Sequence, residues 1–176
     1  MMNIVLHEPE IPFNTGAIGR TCAATDSALH MIEPFGFILN DKNLKRAGMD
    51  YWPKLKLSKY LNYEDFLMKH PELAFAGEGG DTGSRPRLWF ATTKARQVYS
   101  DAEFGPDDFI MFGKESAGIP EEILVKHPAA CIRIPMWGDI RSLNLSNSAA
   151  IILYEALRQN GFGNLEKQGQ LHRLKW

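Results

Sequence analysis

Three stretches of this chain concentrate residues that grip or activate a ligand, and each follows a short apolar run. The first is Asn14-Thr15-Gly16-Ala17-Ile18-Gly19-Arg20, set after the turn Pro9-Glu10-Ile11-Pro12. On a helix, Gly16 and Arg20 share a face. Backbone N–H groups and a small residue then stand ready for a phosphate or ribose, with a guanidinium one turn further along. An Asn-capped amphipathic helix with Arg20 on its surface accounts for the same residues. Gly16 and Gly19 are three apart, so the GxGxxG spacing of a dinucleotide site is absent, which counts against a nicotinamide-dependent oxidoreductase.

The second stretch is Phe112-Gly113-Lys114-Glu115-Ser116-Ala117-Gly118-Ile119-Pro120. Glycines at a strand exit let backbone approach a ligand closely. Glu115 between them is either a functional carboxylate or a solvent-facing loop residue. A phosphate-cradling GxxxxGK[ST] pattern is missing. The third stretch, Ile132 through Ser148, runs from an apolar strand through Pro135-Met136-Trp137-Gly138-Asp139-Ile140-Arg141 into Ser142-Leu143-Asn144-Leu145-Ser146-Asn147-Ser148. Ser146 is expected to cap the following helix. The other Ser and Asn side chains, interleaved with leucines, suit a slot that holds a flat apolar ring by its edge.

These stretches need a scaffold, and the chain predicts one. Apolar runs at 3–6, 29–32, 73–76, 88–91, 109–112 and 132–134 have strand length and are bounded by turn residues. Helices are expected at 15–25, opened by Asn14; at 41–47, stopped by Gly48; at 63–69, capped by Asn62; and at 147–160, stopped by Gly161. Such alternation predicts an α/β fold with a mainly parallel sheet covered by helices, and a ligand site beyond the C-terminal strand ends. Residues 77–86, GEGGDTGSRP, are expected to form a surface loop, and residues 163–176 a basic tail ending in Trp176.

A length of 176 residues fits a single domain, expected to span 1–176. Cys22 and Cys131 form neither a CxxC pair nor a disulfide framework, and the N-terminus carries no basic start and long apolar run of the kind export needs. A cytoplasmic, non-membrane protein is the expectation. The formal net charge of −1 argues against a uniformly basic nucleic-acid coat, so any RNA contact must come from local clusters. Lys42, Lys45, Arg46, Lys54, Lys56 and Lys59 form one such cluster, and Arg85, Arg87, Lys94 and Arg96 another. Taken alone, each reads as a solvated face. The five histidines lack metal-ligand spacing, so no metal is expected.

In this order and separation the three stretches resemble the signature motifs of the SPOUT RNA methyltransferases, in particular the short wobble-nucleotide tRNA (cytidine/uridine) 2′-O-methyltransferase branch. The stretches Asn3 through Pro12, Arg46-Ala47-Gly48-Met49-Asp50-Tyr51 and Tyr154-Glu155-Ala156 agree as well. The 77–86 loop and the basic tail depart from the pattern. The resemblance implies a C-terminal deep trefoil knot holding S-adenosylmethionine. By position, the cofactor pocket would use Ala91, Thr92, Gly113, Glu115, Ile134, Met136, Ser142 and Leu143. It also implies a homodimer whose active sites are shared across the interface, with Arg20 as the catalytic residue facing the partner's cofactor. Asn14 and Asn144 are candidates for holding the ribose, or else capping residues. Lys42, Lys45 and Arg46 would meet the phosphates of a tRNA anticodon stem-loop. A non-catalytic RNA-binding factor with the same fold is the competing reading.

Overall fold

Runs such as Ile4-Val5-Leu6 and Ile110-Met111-Phe112 are apolar at every position, so both faces of the strands they form must be covered. The computed structural model describes residues 1–38, 51–76 and 85–176 and meets that requirement with a parallel sheet flanked by helices. The strands are β1 (Asn3–His7), β2 (Ala28–Ile32), β3 (Lys56–Tyr60), β4 (Ala74–Phe75), β5 (Arg87–Ala91), β6 (Gln97–Val98), β7 (Phe109–Phe112) and β8 (Cys131–Arg133). Their order is β3-β2-β1-β7-β5-β8-β6, with β4 also on β5, and every pairing is parallel. Every residue of β1, β2 and β7 is buried. The helices are α1 (Pro12–Ala24), α2 (Tyr63–Lys69), the single turn α3 (Glu121–Leu124) and α4 (Leu145–Gln159).

The six expected strands are present, with ends shifted by a residue or two. Two further strands had no apolar signature. β3 reads Lys-Leu-Ser-Lys-Tyr and lies at one edge of the sheet, where lysines guard against edge-to-edge pairing. β6 is a two-residue strand at the other edge. Helix α2 starts where expected, its Asn62 side chain accepting from the Asp65 N–H. The expected helix at 41–47 and most of the 77–86 loop lie outside the described residues. Helix α1 begins three residues before the expected 15, because Pro12 supplies a preset φ at the first helical position; Ile11, not Asn14, is its N-cap.

One buried carboxylate organises the start of β5 and β7. Asp108 accepts from the backbone N–H groups of Arg87 and Gly105 and from the Trp89 indole, all at 2.9 Å, and pairs with the Arg87 guanidinium at 3.2 Å. The Asp107–Asp108 acidic pair of the sequence thus splits its duties, Asp107 meeting the N-terminal ammonium at the surface.

Under α2, His30 Nδ1 and His70 Nε2 both bond the Tyr60 hydroxyl at 2.7 Å, and His70 Nδ1 meets Glu72 at 2.9 Å. Burial, with His70 adding to it, pushes the His30 imidazole down to about 4 from 6.5. Because the folded pKa lies below the unfolded one, protonation favours the unfolded chain. Stability is complete above about pH 6.5 and falls as pH drops toward about 4, by on the order of 3 kcal/mol from this group alone. His7, also lowered by burial, adds to the same slope. Urea unfolding at pH 7.5 and 4.5 checks this: His30→Gln is expected to reduce the difference between the two pH values, and an unchanged difference refutes it.

Candidate functional site

Because all pairings are parallel, the C-terminal ends of β5, β7 and β8 lie at one rim of the sheet, near the point where the strand order jumps from β1 to β7. Ligands favour such a place in open α/β sheets. A cleft of about 470 Å³ opens there, within the range of small-molecule sites.

One wall of it is the loop after β7. The Gly118 N–H donates to the Lys114 carbonyl at 2.8 Å, and Gly118 adopts φ +74°, the left-handed region that glycine enters without strain. A Cβ on Gly113 would fall 2.0 Å from the Gly118 carbonyl carbon, so only glycine lets the loop fold back on itself.

Polar contacts then tie that loop to the start of α1. The Glu115 carboxylate accepts from the backbone N–H of Glu10 (2.8 Å) and of Ile11 (3.3 Å) and from the Asn14 amide (2.9 Å). A carboxylate there complements the positive end of the helix dipole. Reciprocally, Glu10 accepts from the Ser116 N–H and hydroxyl, which hold its carboxyl below the usual range. Lys114 pairs with Glu8 at 2.9 Å, which raises the Lys114 pKa.

The third stretch joins through asparagine. Asn144 Nδ2 donates to Asn14 Oδ1 at 2.9 Å, while Asn144 Oδ1 accepts from the N–H groups of Ser146 and Asn147. Asn144 therefore caps α4, correcting the expectation for Ser146, whose N–H and hydroxyl are donors in that cap. Asn14 does not open α1 as expected. It sits buried in the first turn and bridges Glu115 to Asn144.

All eight positions expected to hold a cofactor line the cleft: Ala91, Thr92, Gly113, Glu115, Ile134, Met136, Ser142 and Leu143. Asn14 and Asn144 line it too. Arg20 is not among the lining residues; it is exposed on α1, its guanidinium 5.0 Å from the centre of the Tyr51 ring, whose hydroxyl donates to the Gly16 carbonyl. Lys42, Lys45 and Arg46 lie outside the described residues. Sequence reading missed Ile11, Lys114 and Arg141 as lining residues. Lys114 and Arg141 stood inside the motifs and were passed over, whereas the contact of Ile11 depends on a loop about a hundred residues away.

The titratable lining groups are Lys94, Lys114, Glu115 and Arg141. Lys94 pairs with Glu121 and Lys114 with Glu8, while Glu115 is engaged by helix N–H groups. Three of these four groups are therefore already engaged within the chain. Among the described residues, no cluster of three His, Cys, Asp or Glu side chains is placed to hold a metal, and no helix is long and apolar enough to cross a membrane.

Fold and cleft together define an α/β protein with a cleft of small-molecule size at the C-terminal rim of a parallel sheet. Residues 1–154 match the model of the SpoU rRNA Methylase family, and the chain belongs to that family. A Listeria monocytogenes protein is 50% identical over 166 residues, covering 93% of this chain and 90% of the other. The tRNA (cytidine(34)-2'-O)-methyltransferase of Escherichia coli K12 is 44% identical over 163 residues, covering 92% and 96%. A solved structure described as giving structural insights into the 2-OH methylation of C/U34 on tRNA matches with TM-score 0.78 at 38% identity, covering 92% of this chain and 97% of that one. The resemblance read from the three motifs is thereby borne out.

Proposed function

We propose that this protein methylates the ribose 2′-hydroxyl of the wobble nucleotide, cytidine or uridine, in the tRNA anticodon loop, using S-adenosylmethionine and acting as one 176-residue domain. The observation that carries this reading is the convergence of three motif loops on one cleft, in a chain so similar to a tRNA (cytidine(34)-2'-O)-methyltransferase.

The cleft suits S-adenosylmethionine. Ala91, Ile134, Met136 and Leu143 offer apolar walls for an adenine, Gly113 keeps the loop backbone close, and Thr92 and Ser142 add polar edges. When bound there, this donor supplies a methyl group activated by a sulfonium. The chain must then align the ribose oxygen with that methyl and ease the loss of its proton. Among the titratable lining groups Lys94, Lys114 and Glu115 are already paired, and Arg141 is a cation with no proton-accepting atom. Arg20 is the group we assign to the second task, reaching the cleft of a second subunit and stabilising the developing alkoxide or the adjacent phosphate while the hydroxyl proton passes to solvent water; a guanidinium, having no acceptor atom, seldom acts as a base.

A homodimer follows from that assignment. Phe13, Ala17 and Arg20 on α1 and Asn147, Ile151, Tyr154 and Arg158 on α4 form exposed stripes on two helices that pack together, with Phe13 79% and Tyr154 47% exposed. Outward apolar side chains in register on neighbouring helices suit burial against a second copy. The strand order, with β7 and β8 flanking β5 and α4 returning to α1, supports a C-terminal trefoil knot. Asn14 and Asn144 remain our candidates near the ribose, and Lys42, Lys45 and Arg46 for the tRNA backbone. A tRNA substrate goes with a cytoplasmic location.

The test is transfer of labelled methyl from S-adenosylmethionine to tRNA, followed by nucleoside mass spectrometry. A ribose methyl at the wobble position is expected. Tight tRNA binding without cofactor binding or transfer would instead favour a non-catalytic RNA-binding factor.

A further inference from the structure

We propose that Trp137 is a stacking platform for a nucleobase of the RNA substrate, next to the ribose that enters the cleft; this rests on the tRNA methyltransferase reading. Trp137 is 93% exposed, whereas Trp89, the core tryptophan, is 4% exposed and hydrogen-bonded to Asp108. Among the described residues the Trp137 ring has neither an aromatic nor a hydrogen-bonding partner. An indole left bare in water forgoes the burial that usually retains tryptophan in a sequence.

Its place in the chain indicates what covers it. Met136 before it and Arg141 after it both line the cleft, and Gly138, at φ +60°, turns the loop between them. Ile140, in the same loop, is 60% exposed. Arg133 and Arg141 bracket the loop, with Asp139 the one acid between them, while Lys94 and Lys114 on the cleft wall are already paired with Glu121 and Glu8. A flat π-face beside apolar and cationic groups, at the mouth of a cleft, matches a base and its flanking phosphates. A loop nucleotide offers such an unstacked base.

The experiment uses the full chain with Trp137→Ala and Trp137→Phe on an anticodon stem-loop substrate. Trp137→Ala is expected to raise KM and weaken stem-loop binding roughly ten- to hundredfold. Its kcat and S-adenosylmethionine affinity should stay within about threefold, and Trp137→Phe should keep most of the binding. The slope of log affinity against log salt should be unchanged, because stacking releases no counterions, whereas loss of a phosphate contact would flatten it. Normal stem-loop binding by Trp137→Ala would overturn the proposal. So would a shift from dimer to monomer in sedimentation, which would make the indole part of the subunit interface, or a parallel loss of cofactor affinity. If the unmodified protein binds the stem-loop but transfers no methyl group, the methyltransferase reading fails, while the binding comparison still decides the role of Trp137.

Discussion

Gly113→Ala is expected to lower S-adenosylmethionine affinity by more than about tenfold and to cost roughly 1–3 kcal/mol of stability, the range for forcing a group into filled space. The new methyl carbon would sit 2.0 Å from the Gly118 carbonyl carbon, 2.1 Å from the Ile119 nitrogen and 2.4 Å from the Gly118 oxygen. These are backbone atoms, so no side chain can swing aside to make room. The loop must open, which loosens the Gly118–Lys114 hydrogen bond and draws Lys114, Glu115 and Ser116 away from Glu8, Glu10 and Asn14. Titration calorimetry and thermal melting measure both effects. Gly118→Ala meets no atom within 4 Å but must hold φ +74°, so it should cost only the backbone strain, on the order of 1–2 kcal/mol. Gly113→Ala binding the cofactor as the unmodified protein does would mean the loop does not form the pocket wall.

Arg20→Ala should reduce methyl transfer by roughly a hundred- to ten-thousandfold, the span usual for removing a charge-stabilising or proton-handling group. Cofactor affinity should hardly change, because Arg20 is absent from the lining of its own subunit's cleft. Single-turnover rates and cofactor binding by calorimetry separate the two quantities. In a mixed dimer, pairing an Arg20→Ala chain with a Gly113→Ala chain should restore up to half of one normal activity if each site is shared. Full turnover by the Arg20→Ala homodimer would remove Arg20 from the chemistry. Arg20→Lys discriminates further: a lysine keeps the charge but loses the planar fork over Tyr51, so partial activity would point to charge and none to geometry.

The elements legible in the sequence were those whose burial leaves a continuous apolar mark. β1, β2 and β7 are covered on both faces, and their letters say so. β3 buries only Tyr60 fully, and its lysines read as a basic patch until Lys56 is seen paired with Asp26 at the sheet edge. The motif positions assigned to the cofactor could be named because the resemblance supplied them, and the structure gathers all eight around one cleft. The contacts among motifs could not be read. Glu115 reaches Asn14 across 101 residues, and Asn14 meets Asn144 across 130, separations at which spacing carries no signal. For the same reason Asn14 looked like a helix cap: its usual local role was visible and its distant partners were not.

Helix α1 touches the cleft at one end and presents its outward stripe along its length, and Glu115 grips the end nearest the cleft. Two equilibria that act on one helix are linked when each changes the free energy of the other. If occupancy of the cleft changes how tightly two chains associate, association must change occupancy by the same factor, whatever its size. Where association tightens the cleft, dilution acts as an effector of this protein and weakens its hold on a small molecule.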